Sequence, residues 1–461
     1  MRDLTEGSIE SHLTRLALTM AAGLAVTTLY YIVDLYFVAQ LGRIAIAGVG
    51  AAGNIIMLVM ATTQIISSGT LALLSHAVGR KDQSEAKLIF NQSIALALTL
   101  SLGALVLGYP LARYYMAAVS ADAASAHAGT IYLDWYLPGI AMQFVIAAMG
   151  SALQGTGIMR PVMVVQAASL GLNILLAPIL IAGWITGHPL GVMGAGLASS
   201  IAVFAGVALL VAYFIKLENY VGFIVAEMRP RLRIWGRLLM IGIPAGSEFA
   251  FMFFYTAVIF SLIRHFGDAA QAGFGLGTRL TQAVVLPGMA IALAAAPIAG
   301  QNFGARKAER VRATLRASVL SCSIIMILLT LFCQWRPDLL VRAFTQDARV
   351  VEQGTLYLRI ISWNFVATGI IYCCSGMFRA MGNTWPGLIS TGSRFFTFIL
   401  PALWLAAQPH FRIEELWYLS VATVALQAVT SLLLALHEFR TKLSRALPAS
   451  DTLTVPRAAD T

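Results

Sequence analysis

Charge is scarce in this chain: Lys, Arg, Asp and Glu together make up 11% of its 461 residues. A soluble globule of that length would lack the polar surface to cover itself, so that class is excluded. Cysteine is scarcer still, with four in all. Cys322, Cys333, Cys373 and Cys374 lie in or at the edge of apolar runs without metal-ligand spacing, so they read as packing residues and a zinc framework is excluded. Neither a Cys/His cluster, nor a phosphate-binding loop, nor a nucleophile beside a base in a polar segment is present, which argues against an enzyme and against a cofactor.

Apolar residues fill the space that charge leaves, at 59% of the chain with a mean hydropathy of +0.79. Runs long enough to span a bilayer cover 14–38, 44–76, 88–112, 130–157, 160–185, 189–215, 238–263, 270–298, 314–335, 355–379, 384–408 and 414–437. Backbone groups in lipid need internal partners, so these runs predict an all-α membrane protein with twelve transmembrane helices. Arg2, Asp3, Glu6 and Arg15 precede a first run that itself spans, which predicts a retained helix rather than a cleaved signal. Counted over alternate connections, one side carries 21 Lys and Arg and the other 8, leaving Arg279 and Arg394 inside helices. The basic side is expected to be cytoplasmic, with both termini there, in the plasma (cytoplasmic or inner) membrane. The net charge of +10 is then topology, and no nucleic-acid partner is expected.

The chain also repeats itself at one constant offset. Gly42, Gly48 and Gly50 recur as Gly267, Gly273 and Gly275, while Gly79 returns as Gly304, Gly157 as Gly382 and Pro161 as Pro386. Each pair differs by the same amount, 267 minus 42 or 225. Residues with special backbone rules recurring at one offset predict a duplicated fold. An even number of helices per half makes the repeat parallel, giving two six-helix bundles with a cavity between them. The expected lobes are residues 1–222 and 223–445, with the basic linker of Arg229, Pro230, Arg231 and Arg233 near the boundary and a polar tail, 446–461, expected to be disordered.

Four strongly ionisable side chains fall well within the runs: Asp34, Glu248, Arg279 and Arg394. Burying a charge at a helix centre costs about 2.5 to 3.5 kcal/mol, so each is a functional candidate that should face the cavity. Asp34, near the outer end of the first run, suits proton exchange or pairing with a cationic substrate; the alternative is an interfacial acid bonded to Tyr or Gln neighbours. Glu248 follows Pro244 by four residues and suits a proton or, with further oxygens, a sodium ion; the alternative is an ion pair with Arg279. Arg279 either holds an anionic group or serves that pair, and Arg394 either lines the cavity or, the preferred reading, plays a structural part. Asn173 and Ser199 are cheap polar groups able to support a protonated carboxyl or a ligand. Asn54 and Gln64 read as helix–helix hydrogen bonds, and Tyr30, Met57, Phe253 and Met289 as apolar wall.

In these residues the sequence resembles the multidrug and toxic compound extrusion (MATE) family of secondary transporters. The resemblance runs through "LTEGSI", "VDLYFVAQLG", "GTGIMRPVM", "GAGLASS", "IGIPAGSE", "LPGMAIALAAAPIAGQNFGARKAERV" and "FRAMGNTWP", in order over nearly the whole chain. It implies two lobes around a V-shaped cavity and export of organic cations coupled to inward flow of protons or sodium ions. Asp34 occupies the place of the family's helix 1 coupling acid, Glu248 that of a helix 7 acid, and Asn173 that of a helix 5 asparagine. Departures bear on mechanism. Ala177 stands where the family often has an aspartate, Thr19 replaces the proline that commonly bends helix 1, and the tenth run has no acid.

A dehydrated sodium ion needs several oxygen ligands, whereas a proton needs one acid, so proton coupling is the favoured expectation and Glu248 is the metal ligand only if sodium is used. The expected partners are small organic cations and membrane lipids, and the expected state is a monomer. A flippase for lipid-linked or anionic molecules would need a cluster of cavity cations, and a channel would need a filter-like loop that the sequence lacks.

Overall fold

The computed structural model describes residues 1–120, 122–185 and 187–443, apart from the side chains of Tyr31, Leu35, Phe253 and His265. The tail at 446–461 and the side chain of Phe253 therefore lie outside the described residues. Fourteen α-helices occur among the described residues, in the order α1 (Ile9–Ala39), α2 (Arg43–Gly79), α3 (Gln83–Val119), α4 (Ala123–Gly155), α5 (Arg160–Ala182), α6 (Val192–Lys216), α7 (Leu232–Ile263), α8 (Asp268–Gly304), α9 (Ala308–Trp335), α10 (Pro337–Arg342), α11 (Ala348–Ile361), α12 (Asn364–Ala380), α13 (Trp385–Ala406) and α14 (Ile413–Glu438). Eleven of them are long and apolar enough to cross a membrane.

A twelfth candidate span is a broken one. α11 and α12 together pass the same test but are bent by 57°, where the sequence predicts one unbroken span over 355–379. Side chains of α9 make the break tolerable: Thr330 Oγ1 donates to the Ser362 carbonyl at 3.0 Å and Gln334 Nε2 to the Arg359 carbonyl at 2.6 Å. Carbonyls released from a helix ladder persist in a membrane only when other protein groups bond them.

Local chemistry starts the helices. Ser8, Asp82, Asp122 and Asp347 each accept from a backbone N–H of the turn they open, ahead of α1, α3, α4 and α11. α2 and α8 begin differently, after Gly42 and Gly267 at φ 93° and 87°. Residues with a Cβ rarely adopt that conformation, which gives the recurrence of these two glycines its physical reason.

Four apolar cores show how the halves meet. Two belong to one half each: Val38, Ala52, Met116 and Ile140 among α1–α6, and Ile259, Phe274, Phe398 and Trp417 among α7–α14. The other two are shared. Leu238 and Ile241 of α7 join the core around Leu74, Phe90 and Leu153, while Leu4, Leu13, Leu16 and Met159 join the core around Ile298, Cys322 and Phe378. The residues that cross between the halves, Leu238 and Ile241 early in α7 and Leu4, Leu13, Leu16 and Met159, lie toward the basic connections, so the halves are fused there. The four cysteines are buried, all within the second shared core.

The fusion has two-fold character. Gly79 packs against the carbonyl of Gln301, and Gly304 against the carbonyl of His76. Adding 225 to 79 and to 76 gives 304 and 301, so the two approaches are images of one another under the repeat. The amino-terminal segment adds further stitches, with Arg2 N donating to the Thr156 carbonyl at 2.8 Å, Leu4 N to Gln301 Oε1 at 2.9 Å and Asn302 Nδ2 to the Leu4 carbonyl at 3.1 Å. Because the neighbours at both glycines are backbone, Gly79→Ala and Gly304→Ala are each expected to destabilise this state by about 1 to 3 kcal/mol. The check is the thermal midpoint in detergent against Gly53→Ala, where a Cβ meets nothing within 4 Å. Equal midpoints for all three would remove the close approach as a determinant of the fused face.

Candidate functional site

The α1 run from Tyr30 to Asp34 puts these two side chains one turn apart on the same face. Two other helices of its half reach Asp34 directly and a third reaches it through one of them. Its Oδ1 accepts from Ser199 Oγ of α6 at 3.2 Å, and its Oδ2 from the Tyr132 hydroxyl of α4 at 3.4 Å. Ser199 Oγ in turn accepts from Asn173 Nδ2 of α5 at 3.3 Å. Asn173, Ser199 and Tyr132 are all essentially sealed, at 0%, 1% and 1% exposure, whereas Asp34 is half-buried. Of these four side chains, Asp34 alone keeps partial exposure. One acceptor in the cluster is left over, since the buried Oδ1 of Asn173 has no partner among the described residues.

The structure brings together Asp34, Asn173 and Ser199, with Tyr30 beside them on α1. Tyr132 completes the set and is not singled out by sequence reasoning. A signal for it exists in the repeat: 357 minus 132 and 255 minus 30 both give 225, so Tyr132 recurs as Tyr357 and Tyr30 as Tyr255. Ala177, one turn after Asn173 and 1% exposed, packs into the adjoining core where the family often has an acid. Asp34 is therefore the sole carboxylate of this cluster among the described residues.

The second acid has a different environment. Glu248 of α7 accepts from Ser375 Oγ of α12 at 3.4 Å, and Arg379 Nη2 donates to that same Ser375 oxygen at 3.4 Å. Gly387 of α13 lies against the Glu248 carboxylate and leaves it room. Arg279 is not brought into this group; it is exposed on α8 and forms no ion pair among the described residues. Height along the helices accounts for the separation. α7 starts on the basic side at Leu232 and α8 ends there at Gly304, so Arg279 stands farther from that side along its helix than Glu248 does along its own. The excess is 304 minus 279, or 25, against 248 minus 232, or 16. At a rise of about 1.5 Å per residue the difference is about 13 Å. The cation that comes near Glu248 is instead Arg379, in the last turn of α12, which the charge count assigns to a connection.

Arg394 of α13 donates through Nη2 to the Tyr255 hydroxyl at 2.9 Å, with its Cζ 4.4 Å from the centre of that ring. Among the remaining candidates, Asn54 Nδ2 donates to the Tyr115 hydroxyl at 2.9 Å, a bond between α2 and α3, and Met57 is 59% exposed.

Known proteins resemble this chain in both sequence and shape. The multidrug export protein MepA of Staphylococcus aureus is 26% identical over 371 residues, covering 80% of this chain and 80% of that one. The probable multidrug resistance protein YpnP of Bacillus subtilis is 25% identical over 384 residues, covering 82% and 84%. A crystal structure of a MATE protein in its bent conformation superposes with a TM-score of 0.89 at 20% identity, over 96% of this chain and 98% of that one. A transporter of the MOP superfamily from Pyrococcus furiosus gives 0.88 at 21% identity, over 95% and 98%. Likenesses at that level of identity establish the two-lobed fold. The MatE family pattern matches residues 20–179 and 244–404, two stretches offset by the repeat and together well over half of the sequence. With its multi-pass helical fold, its duplicated halves and both of those matches, the chain belongs to the MatE family of multidrug efflux transporters, which are membrane carriers and not enzymes.

Proposed function

We propose that this transporter exports organic cations in exchange for protons, with Asp34 as the group that holds either one. The observation that carries the reading is the Asp34 cluster: a single half-buried carboxylate whose two oxygens both receive hydroxyl donors. Its charge attracts a cation, and a proton on the same group removes that attraction. Mutual exclusion of drug and proton at one site is enough for exchange, provided the empty charged carrier rarely reorients.

Two features support the proton over sodium. Asp34 is the sole carboxylate of its cluster among the described residues, which suits a proton that needs one acid better than a dehydrated cation that needs several oxygen ligands. Asn173 also keeps a buried acceptor without a partner. Such an atom costs about 1 to 3 kcal/mol, and a protonated carboxyl brings a new donor into the cluster that holds it. No group of three or more His, Cys, Asp or Glu suited to a metal occurs among the described residues.

With the basic side in the cytoplasm of the cell, the cavity expected between the lobes opens outward, and the fused face of α2, α7 and α8 is the closed inner gate. Rocking of the lobes exchanges open and closed faces, and each charge carried inward gains about 2.3 kcal/mol per 100 mV. The carrier works as a monomer in the plasma membrane with both termini inside.

Ethidium transport in proteoliposomes tests the coupling. An imposed pH gradient alone is expected to drive uphill movement, and a sodium gradient at equal pH is expected to drive none. Movement that answers only to sodium would overturn the proton reading.

A further inference from the structure

The fused face carries a second pair of images under the repeat, made of hydrogen bonds rather than close-packed glycines. His76 sits in the last turn of α2, and its Nε2 lies 2.6 Å from the carbonyl oxygen of Ala380, the last residue of α12. A carbonyl only accepts, so the ring donates from Nε2. Gln301 likewise sits in the last turn of α8, and its Nε2 donates at 2.9 Å to the carbonyl of Gly155, the last residue of α4. Adding 225 to 76 and to 155 gives 301 and 380, so each bond is the image of the other. Both run between the halves, in opposite directions.

The acceptors give these bonds their meaning. The last carbonyls of a helix find no partner within it, and a buried one left bare costs free energy. Gly155 and Ala380 are both buried. While the halves stay together, each carbonyl is satisfied from the opposite half; when they part, water takes the donor's place. Such a bond opens and closes without stranding a polar group, which suits a contact that breaks in every cycle. The surroundings of the two donors differ. Gln301 is 0% exposed and also accepts through Oε1 from Leu4 N at 2.9 Å, which ties it to the amino-terminal segment. His76 is half-buried, with the ring of Phe303 centred 4.9 Å from its own.

We propose that His76 and Gln301 are the two halves of a latch on the fused face, coupled so that release of one bond releases the other. The inference rests on the rocking of the lobes in the export reading, and it names the residues that set how often the fused face opens. Each half of the chain supplies one donor and one acceptor: His76 and Gly155 from the first, Gln301 and Ala380 from the second. Two bodies that part at this seam stretch both bonds at once. Two local helix-end contacts would instead loosen one at a time.

Amide hydrogen exchange of the purified full chain, read by mass spectrometry, tests the coupling. Both acceptor ends carry reporters: Ile158 N donates to the Leu153 carbonyl at 2.9 Å, and its image Asn383 N to the Phe378 carbonyl at 3.0 Å. His76→Ala removes only the bond to Ala380. It is expected to speed exchange by about 5-fold at 375–383 and by the same factor at 150–158, the end it does not touch. Gln301→Ala runs the test in the other direction and is expected to speed both ends by more, because Leu4 N loses its acceptor too. His76→Gln, which supplies the amide used at 301, is expected to keep the original rates. Faster exchange confined to the altered end, or at neither end, would overturn the latch, as would His76→Gln behaving like His76→Ala. Should His76→Ala fail to fold, Gln301→Ala carries the test alone. Ethidium transport separates this result from failure of the export reading: coupled exchange in a chain that moves no ethidium would sink export and leave the latch standing.

Discussion

Replacing Asp34 with asparagine is expected to reduce drug export to the level of vesicles without transporter while leaving the protein folded and in the membrane. The substitution preserves shape, and the amide still offers one oxygen to the Ser199 or Tyr132 hydroxyl that now donates to the carboxylate. Breaking the other bond costs about 1 kcal/mol, which is small beside the stability of a chain of this size. The loss of function is larger by far. A unit charge about 4 Å from a cation contributes roughly 4 kcal/mol at an effective dielectric of about 20, so cargo affinity falls by about a thousandfold. The amide also takes up no proton, so nothing remains to couple release to the gradient. Asp34→Glu, with the charge kept and the bonds stretched, is expected to recover part of the rate. Export rate and detergent melting point, measured together at matched protein levels, check both halves of the expectation. Full export by Asp34→Asn would end the proposed role.

Several elements of this arrangement were legible in the residues because each obeys a rule that composition cannot hide. Gly42 and Gly267 announce the duplication since both helices that follow them start from a conformation closed to other residues. Asp34, Asn173 and Ser199 stand out because polar groups are so sparse in apolar runs, and the same scarcity marks Glu248 and Arg394. Tyr132 escaped notice because tyrosine is amphipathic and common in membrane helices, with 14 in this chain, and its role depends on which helix faces α1. Arg379 escaped because a basic residue at the inner end of a span looks like an ordinary topological charge. The break between α11 and α12 has no proline or glycine at Ser362 and Trp363; the groups that stabilise it come from α9, a neighbour in space and not in sequence. Pairings between helices are the part that runs do not encode, which is why Glu248 meets the Ser375–Arg379 group rather than Arg279.

Glu248 presents the second large effect, and its meaning turns on Arg379. Both side chains contact the single hydroxyl of Ser375, and Arg379 Nε is buried without a partner. The carboxylate is thus a negative charge one shared hydroxyl away from a guanidinium held at the inner end of α12. Glu248→Gln is expected to lower export by about tenfold or more and also to lower the melting point, because a half-buried guanidinium loses a nearby countercharge, an effect below the roughly 3 to 5 kcal/mol of breaking a fully buried contact pair. Those two losses together do not tell a coupling acid from a structural one. The double substitution Glu248→Gln with Arg379→Gln separates them, since it removes both charges and leaves neither stranded. Recovery of the melting point without recovery of export would assign Glu248 to the transport cycle alongside Asp34. Recovery of both would make the pair a brace between α7 and α12 and leave Asp34 as the only acid that the exchange requires.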